Sequence, residues 1–238
     1  MIPLSRRVVI ASALATAAGV APFARALAAA PKPAAKAAAA PAKTPGSRWA
    51  AAPGDMNLGD PNAPVHVVEY LSLTCSHCAA FNAEIYPTLK ARYIDTGRVY
   101  YTVRELLTAP AQVAAAGFLM ARCNGGARYF PIIDQVFKSQ ARWQSGNIKP
   151  IFVEIAKANG LTEDQFAACI TDEKAGQALE GRLKYAVETD HVSGTPTFFV
   201  NGVLLKGDHV PTLEELDAAI AEAAKGAGKA KAKTKGGR

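Results

Sequence analysis

One α/β domain carrying a helical insertion is what the sequence predicts, on three observations. An apolar, strand-like run leads through a cysteine pair into a helix-like segment. A second alternating strand follows that helix, and a long block of helical patterning then gives way to a return of β character. The chain has 238 residues, half of them hydrophobic, which is enough for one sizeable core and does not require two domains.

The ends differ from the body in composition. Residues 1–48 hold seven Lys/Arg and no acid, residues 225–238 hold six and no acid, and the stretch between is net −6 despite the overall +7. The basic balance therefore belongs to the tails and gives no ground for a nucleic-acid partner. Arg6 and Arg7, an apolar stretch from Val8 to Val20 and the small-x-small triplet Ala26–Leu27–Ala28 read as an export signal over residues 1–28. The Sec and twin-arginine routes both remain open, and the apolar run is too short for a membrane span. Residues 29–53, almost wholly Ala, Pro and Lys, read as a linker, and residues 225–238 as a basic disordered tail. Export to an oxidising compartment, the periplasm, gives four cysteines a bias toward disulfides.

Within the body, residues 54–224, Val65 to Leu71 is the first strand. In the helix after Cys78, Phe81, Ile85 and Leu89 fall on one face, and Pro87 is expected to kink it. Val99, Tyr101 and Val103 alternate with Arg98, Thr102 and Arg104 as a second strand, which makes a parallel βαβ unit. A helical insertion is expected over about 108–190, with a stop at Gly160 and a capping box from Thr162 to Gln165. Thr197 to Val200, an Asn201–Gly202 turn and Val203 to Leu205 form a hairpin. A second capping box, Thr212 with Glu215, opens a last helix to about Ala224.

The chemistry centres on Thr74–Cys75–Ser76–His77–Cys78. At a helix N-terminus the thiolate of the first cysteine is favoured by unpaired backbone N–H groups and the helix dipole, and its partner one turn on can close a small disulfide. Haem attachment needs a histidine directly after the second cysteine, where this chain has Ala79. A four-cysteine zinc site usually offers two close pairs, whereas Cys123 and Cys169 lie far apart, so no metal is expected. Cys123 and Cys169 read most simply as a structural disulfide, with a second redox centre as the alternative.

With Gly194–Thr195–Pro196–Thr197 added, the chain resembles the DsbA-like thiol-disulfide oxidoreductases of the thioredoxin superfamily over about residues 55–224. The resemblance implies a thioredoxin-like fold, a central mixed sheet flanked by helices, with an inserted helical domain. It implies a cis bond from Thr195 to Pro196, packed against the disulfide, with the Thr195 backbone offered to an extended substrate. Cys75 is then the nucleophile and Cys78 the resolving thiol. His77 stands where the family often has histidine and helps to stabilise the Cys75 thiolate, and Glu69 matches a buried acid that shuttles the proton of the second cysteine. Ser76 departs from the family's namesake, which has proline there.

The function implied is that of an exported oxidoreductase that introduces disulfides into unfolded or partly folded proteins with free thiols. It needs no cofactor beyond the Cys75/Cys78 disulfide, is reoxidised by a quinone-linked membrane partner and acts as a monomer. The alternatives are a reductase or isomerase on the same fold and a copper-binding thiol chaperone.

Overall fold

The computed structural model describes residues 52, 54–205 and 209–235. The chain divides into two units, Met1–Ala35, outside the described residues, and Lys36–Arg238, which holds everything below. The expected export signal and, Ala52 apart, the expected linker also lie outside the described residues.

Five strands form one mixed sheet: Met56–Leu58 (β1), Val65–Leu71 (β2), Val99–Glu105 (β3), Thr197–Val200 (β4) and Val203–Leu204 (β5). Their order is β1-β3-β2-β4-β5. β2 and β3 run parallel, and the other neighbours are antiparallel. Both central strands are buried along their whole length, as strands covered on two faces must be. Val65, Val67, Leu71, Tyr101 and Val103 enter the main core, while Val68 and Tyr70 join Ala186, Val192 and Phe199 on the opposite face. Thr102 and Arg104, the polar residues of the expected alternation, are therefore buried as well.

The segment after the cysteine motif is broken rather than bent. Ser76–Glu84 (α1) ends at Ile85, and Tyr86–Leu89 (α2) restarts with Pro87 in its first turn, where a missing N–H costs least. A π-helical turn, Lys90–Ile94, follows. The insertion consists of Ala111–Arg122 (α3), Tyr129–Ser139 (α4), Lys149–Ala158 (α5), Glu163–Thr171 (α6) and Glu173–Glu188 (α7). α6 opens on the expected capping box: Thr162 Oγ1 accepts from the Gln165 N–H at 3.1 Å, and Gln165 Oε1 from the Thr162 N–H at 2.8 Å. Asn201 and Gly202 both adopt positive φ, 47° and 79°, in the two-residue turn joining β4 to β5.

The last helix, Leu213–Lys235 (α8), starts at the Thr212–Glu215 box but does not stop near Ala224. It runs through the stretch expected to be disordered. Ala and Lys are strong helix formers, no proline interrupts them, and a helix already nucleated by its packed first turns propagates easily. Residues 236–238 lie outside the described residues.

Two buried ionic clusters join the layers. Arg104 pairs with Asp55 at 2.8 Å and with Asp190 at 2.6 Å. Glu105, with no side-chain exposure, takes Arg122 at 2.6 Å and Arg182 at 2.7 Å, and the Tyr129 hydroxyl donates to it at 3.1 Å.

Candidate active site

β2 delivers the chain to the motif through a turn that side chains hold in place. The Ser72 hydroxyl accepts from the Thr108 N–H at 3.0 Å, and Thr74 Oγ1 donates to the Thr108 carbonyl at 2.8 Å, which ties the loop before the motif to the loop after β3. Cys75 is the N-cap of α1, with extended backbone (φ −81°, ψ 121°) and no side-chain oxygen serving the first-turn N–H groups. Those donors are thus left for sulfur. Gln140, from the insertion, donates through Nε2 to the Leu73 carbonyl at 2.9 Å and to the Cys75 carbonyl at 3.3 Å.

Cys75 is half-buried, Cys78 is fully buried, and both are free thiols. The Cys75 pKa is lowered to about 5, first by the hydrogen bond from Cys78 and then, against the burial cost, by the Thr195 side chain and the backbone N–H groups of Cys78 and His77. Burial, the Cys75 bond and the nearby Glu69 push Cys78 the other way, well above the ordinary thiol value. His77 contributes its backbone N–H, while its side chain is exposed.

The Thr195–Pro196 bond is cis, and the Cys75 thiol donates to the Thr195 carbonyl at 3.3 Å. The Thr195 hydroxyl is buried and has no hydrogen-bond partner besides the Cys75 sulfur, whose thiolate it favours as a donor. Glu69 is 2% exposed, and burial raises its pKa to about 8 against the lowering effect of a hydrogen bond from Tyr101. The sequence thus placed Cys75, Cys78, Glu69, Thr195 and Pro196 in regions that the fold brings together. It missed Ser72, Thr108 and Gln140, whose separations from the motif leave no local signal, and Tyr101, read only as a strand residue.

Cys123 and Cys169 form a disulfide that ties the end of α3 to α6. Among the described residues, no group of three or more His, Cys, Asp or Glu could hold a metal ion.

A CxxC at the head of the first helix, set against a cis-proline loop in a sheet interrupted by helices, defines the thiol-disulfide oxidoreductases built on the thioredoxin fold. The family model described as Thioredoxin matches residues 51–222. The crystal structure of Wolbachia pipientis alpha-DsbA1 superposes with a TM-score of 0.66 at 30% identity, covering 77% of this chain and 96% of that one. A Rickettsia bellii relative, provisionally named a protein-disulfide oxidoreductase, is 33% identical over 171 residues, 71% of this chain and 65% of its own length. A Rickettsia typhi relative is 34% identical over 63% of this chain and 55% of its own. The chain thus spans less than two thirds of these curated relatives. Bacillus subtilis BdbD, at 20% identity and a TM-score of 0.63 over 71% of this chain and 92% of its own, shares the fold. The chain belongs to the DsbA-like thiol-disulfide oxidoreductases of the thioredoxin family.

Proposed function

We propose that this protein is an exported dithiol oxidase acting in the periplasm on unfolded or partly folded proteins with free thiols. A substrate thiolate attacks Cys75 of the Cys75–Cys78 disulfide. That bond breaks, its electron pair goes to Cys78, and a mixed disulfide joins Cys75 to the substrate. A second substrate thiolate attacks the substrate sulfur of that bond, so the substrate leaves oxidised and Cys75 leaves as thiolate. A quinone-linked membrane protein takes the two electrons and restores the disulfide.

The observation that carries this reading is the asymmetry of the two thiols. Cys75 is pulled down to about 5 while Cys78 is pushed up, so Cys75 is the more accessible, good leaving group and Cys78 the buried, protonated one. A stabilised thiolate stabilises the reduced form, which makes the disulfide a strong oxidant. Thr195, next to the cis bond, supports the recognition side: its backbone can pair with an extended segment running past Cys75. Cys123–Cys169, within the insertion, serves as a structural brace.

The reduction potential of the Cys75/Cys78 pair tests the direction of electron flow. A value near −120 mV, roughly that of the family's namesake, supports the oxidase, and one near −270 mV, roughly that of thioredoxin, makes it a reductase. Tight copper binding on titration of the reduced protein would favour the chaperone instead.

A further inference from the structure

Glu69 needs a physical account of how it is held. It lies in the core, 2% exposed, on the same face of the sheet as Tyr101, also 2% exposed. In the parallel register Glu69 faces Val103 while Tyr101 faces Val67, so the two side chains are diagonal neighbours on adjacent strands. The Tyr101 hydroxyl donates to Glu69 Oε2. Tyr101 is itself fixed by the Tyr86 ring, whose centroid lies 5.6 Å away. Glu69, Tyr101, Tyr86 and Asn82 line a cavity of about 10 Å³, room for roughly one water molecule. Asn82 closes one side through its bond to Asp134 at 2.9 Å. Phe81 and Asn82 in the same lining belong to α1, the helix that Cys75 caps and Cys78 lies on, and Glu69 acts electrostatically on both cysteines.

We propose that Tyr101 is a positioning residue of the Cys75–Cys78 site: its hydroxyl holds the Glu69 carboxyl behind the motif and stabilises it after it has given its proton to Cys78. This rests on the oxidoreductase reading above. When the substrate thiolate breaks the Cys75–Cys78 bond, the electron pair left on Cys78 takes the proton of the Glu69 carboxyl. Cys78 becomes a thiol and Glu69 a carboxylate in a buried pocket with room for roughly one water molecule. One neutral, permanently protonated donor is what such a carboxylate needs, and burial together with Glu69 keeps the Tyr101 proton far above its ordinary range. A neutral donor also leaves the pocket uncharged before the reaction, which a lysine or arginine would not.

The test is a carbon-13 carboxyl titration of Glu69 by NMR in the reduced full chain, which reads the pocket without turnover. Tyr101→Phe should move the Glu69 midpoint up by about one pH unit, the usual scale for one hydrogen bond to a charged group. The alkaline limb of the pH profile for exchange with a dithiol peptide should move with it, and Tyr101→Phe should add nothing in a Glu69→Gln background. An unmoved midpoint, or a kinetic shift that persists without Glu69, overturns the proposal. If Tyr101→Phe does not fold, the wild-type Tyr101 ring resonances decide: a titration at the Glu69 midpoint that vanishes in Glu69→Gln upholds the coupling, and its absence refutes it. Failure of the wild type to oxidise a dithiol peptide sinks the oxidoreductase reading while leaving the carboxyl result intact.

Discussion

At the scale of single residues, Cys75 and Glu69 ionise in opposed senses. In the reduced protein Cys75 is held near pKa 5, below its ordinary 9, so its contribution to stability is present above the ordinary value and lost as pH falls through about 5. Glu69 has the opposite sign. Raised from 4.5 to about 8, it is neutral in the fold and charged in the unfolded chain across that window, so stability is full below 4.5 and falls as pH rises through 8. Glu69→Gln removes that dependence while keeping the shape and the acceptor for Tyr101. Urea unfolding of the two reduced proteins should show the Gln variant gaining on wild type from pH 5 to pH 8, by on the order of 3 kcal/mol at pH 7. Parallel curves would mean that Glu69 ionises in the fold as freely as out of it.

At the scale of elements, the insertion is more than an addition to the sheet. α4 packs on α1, and Gln140, directly after it, fastens the carbonyls of Leu73 and Cys75. The Cys123–Cys169 disulfide, spanning 46 positions, braces α3 against α6 on the same side. Replacing both cysteines by alanine should lower stability by about 4 kcal/mol, the chain-entropy value for such a loop, while peptide oxidation at 25 °C persists. Loss of oxidation with unchanged stability would instead assign the pair a redox role. Elements set by local rules were legible in the sequence: β2 and β3 by apolar patterning, α6 and α8 by capping boxes and the hairpin by Asn201–Gly202, whereas the kink expected at Pro87 is a break at Ile85 with Pro87 opening the next helix. β1 was not, because three residues carry no periodicity and its pairing to β3 is long-range. The far end of α8 was not legible either, because a Lys-, Ala- and Gly-rich composition typical of disorder still holds enough Ala and Lys to extend a helix already packed at its start. Gln140 and Tyr101 reach the site through tertiary packing alone, which no local spacing encodes.

At the scale of the whole molecule, Arg104 joins three distant stretches of chain. Asp55 comes from the residues before β1, Asp190 from the loop that leads to Thr195–Pro196, and Arg104 from the end of β3. All three side chains are about 5% exposed, and the Tyr70 hydroxyl adds a further bond to Asp190. Removing one member leaves a buried charge without its counterpart. Asp190→Ala should therefore destabilise by about 3 kcal/mol, and Asp190→Asn by less, in equilibrium urea unfolding. A cost below about 0.5 kcal/mol for the alanine variant would show that water replaces the lost carboxylate.

The attachment of β1 carries a consequence for the order in which the molecule assembles. Its approach is held by side chains from elsewhere: Arg122, at the end of α3, donates to the Gly54 carbonyl at 2.7 Å and Arg104 grips Asp55. Arg122 itself is oriented by Glu105, which also needs Arg182 from α7. The edge strand thus has its anchors only after the helices have docked, hundreds of ångströms of chain later than its place in the sequence suggests. It is a late arrival in folding and an early departure in local opening. Such an opening bares one edge of β3 yet leaves Cys75 and Cys78, at the head of α1, and Thr195, just before β4, on segments that β1 does not pair with, so the cysteine pair outlasts the fraying of β1.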